Sequence, residues 1–228
     1  MATARIAVTL VSAAVGLGCA DAVPLAPREP TVAVRASLAS APTRTTDVVH
    51  VPFFIEDATG GAPSAPGTPV YETRLHRPIL APDGRQVTLG EFDAVAGSAA
   101  AKCVTQGTHV VLHLSGLIPR GVYSVWSLVF RAPGFDPTFA NLTGLGALGE
   151  AGGGANTFRA SAHGEGTLSA IVPAGPLSVF GAIGACALTD AFEWHVVGAY
   201  HLDGQTHGAT PGPAGTFVEQ FGFVLARH

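Results

Sequence analysis

Nine histidines stand in a chain with a single lysine, Lys102, and several of them fall in strand register. Over Phe192–Asp203, alternation places Phe192, Trp194, Val196, Gly198, Tyr200 and Leu202 on one face. Glu193, His195, Val197, Ala199, His201 and Asp203 take the other, so two imidazoles and two carboxylates share a side. His207 follows Gly204-Gln205-Thr206, on a turn able to fold back toward Asp203. His109 and His113 share one face of a second strand, Thr108–Leu114. Imidazole nitrogens joined by a carboxylate suit Zn or Cu. The candidate ligands are therefore His201, Asp203 and His207, with His195 a weaker member and His109 or His113 reaching across if the two strands are neighbours. Six residues of strand separate His195 from His201 by about 20 Å, so both reach one ion only through a bulge, for which Gly198 is the natural place. The spacing matches no defined metal motif, and an ordinary polar strand face explains the same residues.

Other chemistries find less support. There is no Gly-x-Ser-x-Gly elbow, and neither Cys103 nor Cys186 sits beside a histidine that lowers its pKa. A carboxylate pair for glycoside hydrolysis can be drawn from Glu193, Asp203 and Glu219, but no spacing selects one. Gly144-Leu145-Gly146-Ala147-Leu148-Gly149 has the letters of a dinucleotide fingerprint without the helix that must follow it. A formal net charge of −4 excludes nucleic acid as a partner, because few phosphates can be neutralised.

The N-terminus carries the export features. Arg5 precedes the apolar run Ile6–Gly18, too short to span a bilayer but suited to the apolar part of a signal peptide. Ala20-Asp21-Ala22 offers a cleavage site that frees a soluble protein. Gly18-Cys19 offers another, in which Cys19 is lipidated and becomes the new N-terminus. On these residues the first 22 positions resemble the signal region of bacterial lipoproteins, although Gly16 stands where that pattern prefers Leu or Val. The resemblance implies export to the bacterial cell envelope, with membrane contact only through an N-terminal lipid anchor; the other cleavage implies secretion. Once Cys19 is set aside, Cys103 and Cys186 form an even pair, and an oxidising compartment favours one disulfide. Closing so long a span stabilises by about 4–5 kcal/mol at most in the chain-entropy model.

These residues need a scaffold, and the chain supplies one made of strands. Only 12% of residues are charged, while 29 Gly and 17 Pro punctuate short apolar runs, which excludes a coiled coil or charged helical bundle. Residues 1–22 read as signal peptide, 23–46 as a disordered Ala/Pro-rich linker and 47–228 as one domain. Strands are expected at Val48–Ile55, Tyr71–Leu75, Arg85–Leu89, Thr108–Leu114, Val122–Phe130, Thr157–Ala162, Thr167–Val172, Leu177–Phe180, Phe192–Leu202 and Thr216–Leu225. The pair around His163-Gly164-Glu165-Gly166 reads as a hairpin, and Leu89–Ala101 and Ala185–Ala191 as a helical turn or two each. Ala132–Asn156, with Phe135 and Phe139, reads as a long Gly-rich loop that either is a surface insertion or walls a binding surface. The fold class is all-β: a single antiparallel sandwich or barrel of about 8–9 strands with little helix. Its apolar face is expected to include Val110, Leu112, Trp126, Leu128, Trp194, Val196, Phe221 and Phe223. The function that best fits is a non-catalytic binding or structural domain with an unknown envelope or extracellular ligand. The alternative is a metal-dependent Cu or Zn enzyme or metal-binding protein.

Overall fold

The computed structural model describes residues 41–131, 140–191 and 193–227. The signal region with Cys19, most of the expected linker, and Phe135 and Phe139 lie outside the described residues. The described residues begin with β1 (Thr43–Asp47), β2 (Val49–His50), β3 (Ile55–Glu56), β4 (Tyr71–Glu72) and β5 (Arg77–Pro78). A single helical turn, α1 (Leu89–Phe92), leads into β6 (Ala96–Val104), β7 (Gly107–Ser115), β8 (Val122–Phe130) and β9 (Leu142–Ala147). Then come β10 (Thr157–Arg159), β11 (Gly166–Pro173), β12 (Gly175–Pro176) and β13 (Ala182–Ile183). A second helical turn, α2 (Ala187–Asp190), precedes β14 (Glu193–His201) and β15 (Phe217–Arg227).

Two antiparallel sheets dominate. One has the order β1-β6-β7-β11; the other runs β10-β8-β14-β15-β2, with β9 also on β8. The all-β sandwich expected from sequence is what the chain forms. Val110, Leu112 and Leu114 of β7 meet Trp194, Val196, Phe221 and Phe223 of the other sheet in the main core. Val122–Phe130 is strand β8 to the residue, because a run between Gly121 and the next turn that is apolar apart from Ser124 and Ser127 suits a strand buried on both sides. Trp126 and Leu128 turn away from the main core, however, and join Phe130, Ala147, Val197 and Ala199 in a second apolar cluster on the outer side of the six-stranded sheet.

Several boundaries differ from expectation. Thr43–Asp47 pairs along the edge of β6, so the segment expected as linker to residue 46 ends earlier. The helical turn expected within Leu89–Ala101 is α1 (Leu89–Phe92), and the rest of that span, Ala96–Ala101, is strand, its backbone paired with β7 along one edge and β1 along the other. Thr157–Arg159 and Gly166–Pro173 do not form a hairpin. β10 pairs with β8 in one sheet and β11 with β7 in the other, so the intervening turn is a corner between the sheets. Arg85–Leu89 makes isolated bridges rather than a strand, and Leu177–Phe180 lies between β12 and β13. Within the expected Gly-rich loop lies β9, and two of the three fingerprint-like glycines, Gly144 and Gly146, are part of it. A Cβ on Gly146 would come 2.7 Å from the Ser178 backbone, so these glycines permit close chain packing rather than cradle a phosphate.

Cys103, at the end of β6, is joined to Cys186, the residue before α2, with Cα atoms 5.6 Å apart. Thr108 Oγ1 accepts from the Ala187 N–H at 2.8 Å and donates to Cys186 Sγ, tying the same corner. The disulfide thus links the four-stranded sheet to the turn that feeds β14. It spans a sequence separation of 83 residues. Replacing both cysteines by Ala is expected to lower the melting temperature by roughly 5–15 °C, from about 2–4 kcal/mol lost. Calorimetry that finds no change would contradict that role.

Two tyrosines anchor the core by their hydroxyls. Tyr123 Oη accepts from the Ile118 N–H at 2.9 Å and donates to Gln220 Oε1 at 2.7 Å. Tyr200 Oη donates to the Leu80 carbonyl at 2.7 Å. Burial pushes the Tyr200 pKa up to about 12 and that of Tyr123 well above 10. The unfolded chain therefore releases these protons first as pH rises, and stability present below pH 10 is lost above it. Tyrosinate absorbance near 295 nm should show these two residues ionising together with unfolding, not before it.

Candidate functional site

Alternation along β14 sends His201 to the outer side of its sheet, opposite Phe217 on β15. Its neighbour Ala199 pairs with Ser124 of β8. His201 is 1% exposed. Its Nε2 lies 2.7 Å from Ser124 Oγ, which also accepts the Trp126 Nε1–H at 2.8 Å. The other ring nitrogen, Nδ1, is buried with no hydrogen-bond partner. Burial lowers the His201 pKa from 6.5 to about 4; Asp203 opposes the shift and His207 adds to it. The ring is therefore neutral at neutral pH, with a donor or a lone pair left over at Nδ1 whichever tautomer it adopts.

The chain then turns. Gly204 N–H donates to the His201 carbonyl at 3.2 Å, and Leu202 N–H to the Thr216 carbonyl at 2.8 Å, closing the base of the β14–β15 loop. Asp203 Oδ1 accepts the Gln205 N–H at 3.1 Å, and Asp203 Oδ2 lies 3.0 Å from His207 Nε2. The His207 ring packs on Gly212, whose φ is +104° and where a Cβ would fall 2.4 Å from the imidazole. The His201 and His207 ring centroids are 5.7 Å apart. His201, Asp203 and His207 each present a ligand atom, all within 4.8 Å of one another. This is the tight trio anticipated from spacing.

The other candidate histidines go elsewhere. His195 lies on the outer side of β14 with its Nε2 2.5 Å from the buried Glu193 carboxylate, and its ring centroid is 4.8 Å from that of Phe130. Strands β7 and β14 are not neighbours but belong to different sheets. Their apolar faces meet in the core, so His109 and His113 point outward from the far side of the sandwich, where His109 Nε2 contacts Ser169 Oγ at 2.9 Å. They do not reach across to His201. An irregularity does occur at Gly198, but the extra residue is on β15, so β14 keeps its phase and His195 stays out of the trio. Glu193, Asp203 and Glu219 are likewise dispersed, each with its own cationic or imidazole partner: His195, His207 and Arg74.

Sequence reasoning missed a second feature, a cavity of about 330 Å³ on the outer side of the six-stranded sheet. Trp126, Leu128, Val197, Phe54 and Phe217 are among its walls. At its rim the Arg74 guanidinium lies over the rings of Phe217 and Phe54, 4.5 and 5.3 Å from their centroids, and donates to Glu219 Oε1 at 2.6 Å. Glu219 Oε2 is buried with no partner. The available signal was the apolar character of both faces of β8, whose outer residues Trp126, Leu128 and Phe130 require a cover on that side as well.

Ser124 serves two buried nitrogens at once. Ser124→Ala leaves Trp126 Nε1 and His201 Nε2 without their shared partner, and is expected to destabilise by about 2–4 kcal/mol. Urea unfolding that shows a loss below about 1 kcal/mol would contradict this account.

In comparisons with protein-family models, curated proteins and solved structures, nothing matches this chain.

Proposed function

We propose that this chain is an exported β-sandwich domain with a non-catalytic binding role. Its ligand is a small, largely apolar molecule carrying one hydrogen-bond donor, held in the cavity outside β8, β14 and β15. The observation that carries this is Glu219, which lines the largely apolar cavity and whose Oε2 is a buried acceptor without a partner. Leaving such an atom unpaired costs about 1–3 kcal/mol, which a ligand N–H or O–H offsets. Arg74 holds the other carboxylate oxygen, fixing the orientation of the acceptor. A concave apolar site with a few placed polar groups is the usual form of a small-molecule site, and its volume suits a ligand of modest size.

Export rests on separate features. A disulfide closed over a long span suits an oxidising, extracytoplasmic compartment. Among the described residues no helix is long and apolar enough to cross a membrane. The signal-like N-terminus adds the proposal that Cys19 holds the domain at a bacterial envelope.

N-phenyl-1-naphthylamine, an apolar dye with a single N–H donor, tests the pocket directly. Its fluorescence should rise saturably with the protein. Glu219→Gln should weaken binding several-fold, and Val197→Phe, which fills the cavity, should abolish it while circular dichroism stays that of the parent. Absence of saturable binding, or binding indifferent to Val197→Phe, would overturn the proposal.

A further inference from the structure

We infer that His201, Asp203 and His207 form a binding site for one divalent first-row transition metal ion, distinct from the apolar pocket. The trio combines two imidazoles and one carboxylate, a donor set suited to Zn²⁺, Cu²⁺ or Ni²⁺ rather than Mg²⁺ or Ca²⁺. Its members differ in how firmly they are held. His201 sits at the end of β14, buried at 1% exposure, with Nε2 engaged by Ser124. That leaves Nδ1 as its ligating nitrogen, and Nδ1 is the atom without a partner. A ligating histidine usually donates its other ring N–H to an oxygen acceptor that fixes the ring, and Ser124 Oγ stands in that position for His201.

Asp203 and His207 are partly exposed and belong to the loop, so they can close on an ion. One ligand atom from each of the three residues lies within 4.8 Å of the others. Around a tetrahedral ion with bonds near 2.0–2.1 Å they stand about 3.3 Å apart, so the adjustment is a small side-chain movement. Asp203 Oδ2 and His207 Nε2 already lie 3.0 Å apart, and the ion takes the place of their direct contact. Asp203 Oδ1 keeps its backbone donor, Gln205 N–H, and Gly212 keeps the His207 ring in place. Three protein ligands leave coordination open for water or a further ligand.

Trp126 reports on the site, because its Nε1–H meets the same Ser124 oxygen as His201. The purified protein, stripped with a chelator and dialysed, should take up one equivalent of Zn²⁺ in calorimetric titration. Cu²⁺ should quench its tryptophan fluorescence with the same stoichiometry, and Trp126→Phe should remove most of that quenching. Asp203→Asn and His207→Gln, both in the loop, should each lower Zn²⁺ affinity at least tenfold with unchanged circular dichroism. His113→Gln, on the far side of the sandwich, should leave it unaltered. No stoichiometric uptake, or uptake equal in Asp203→Asn and His207→Gln, overturns the inference. The dye titration turns on Glu219 and Val197 and the calorimetric metal titration on Asp203 and His207, so failure of one leaves the other standing.

Discussion

Strands β8 and β14 are buried along both faces over their whole length, and most of the molecule's organisation follows from that constraint. A strand in this position needs cover on the outer side as well as the core side. It also needs a partner for every polar atom it carries, since an unpaired buried group costs about 1–3 kcal/mol. The outer cover is the cluster of Trp126, Leu128, Phe130, Ala147, Val197 and Ala199, extended by Leu142, Leu145 and Phe217. The polar atoms are served in small sets. Ser124 takes Trp126 and His201, and Glu193 takes His195. Tyr123 is joined to Gln220, whose Nε2–H reaches the Phe92 carbonyl at 2.9 Å. Two of the polar atoms left unserved on the outer side are His201 Nδ1 and Glu219 Oε2. Each marks one of the two candidate sites.

Strand existence was legible wherever one face is apolar and the other polar, as in β7, where Val110, Leu112 and Leu114 alternate with His109, Val111 and His113. The disulfide followed from the arithmetic of two remaining cysteines. The trio of His201, Asp203 and His207 was legible because a turn after Gly204 returns the chain within four residues, a local property. What was not legible is long-range. Whether β7 neighbours β14 depends on sheet assignment, which side-chain alternation does not encode, and so His109 and His113 were placed too near. The turn at Gly164 has the residues of a hairpin, yet it changes sheets, because Leu117 N–H donates to the Gly164 carbonyl at 3.0 Å and holds the corner there. The alanines of β6 have helical propensity, and the pairing of both strand edges outweighs it.

The apolar cavity escaped for a different physical reason. It is formed by residues from β8, β14 and β15 together with the Val49–Phe54 segment and Arg74, far apart in sequence. No periodicity joins such residues. Only the absence of alternation in β8 pointed to an occupied outer face, and that absence is equally consistent with a buried parallel strand.

The register of β15 decides what faces that cavity. Phe221, Phe223 and Leu225 lie in the main core at alternate positions, and strict alternation would send Glu219 and Phe217 inward with them. Instead the pairing shifts between Gly198 and Ala199: Phe221 opposes Gly198, Glu219 opposes Ala199, and Gln220 is the extra residue. A bulge of one residue inverts every side chain beyond it. Val218 therefore enters the core opposite Tyr200, while Glu219 and Phe217 turn outward to the cavity and to His201. Gly198 permits the arrangement, since a Cβ there would fall 2.0 Å from the Phe221 ring. The charged rim of the pocket and the aromatic neighbour of the His201, Asp203 and His207 trio thus depend on one inserted residue. Gln220 itself stays buried because it bridges Tyr123 to the Phe92 carbonyl, so the bulge is held by hydrogen bonds on its core side and read out as chemistry on its outer side.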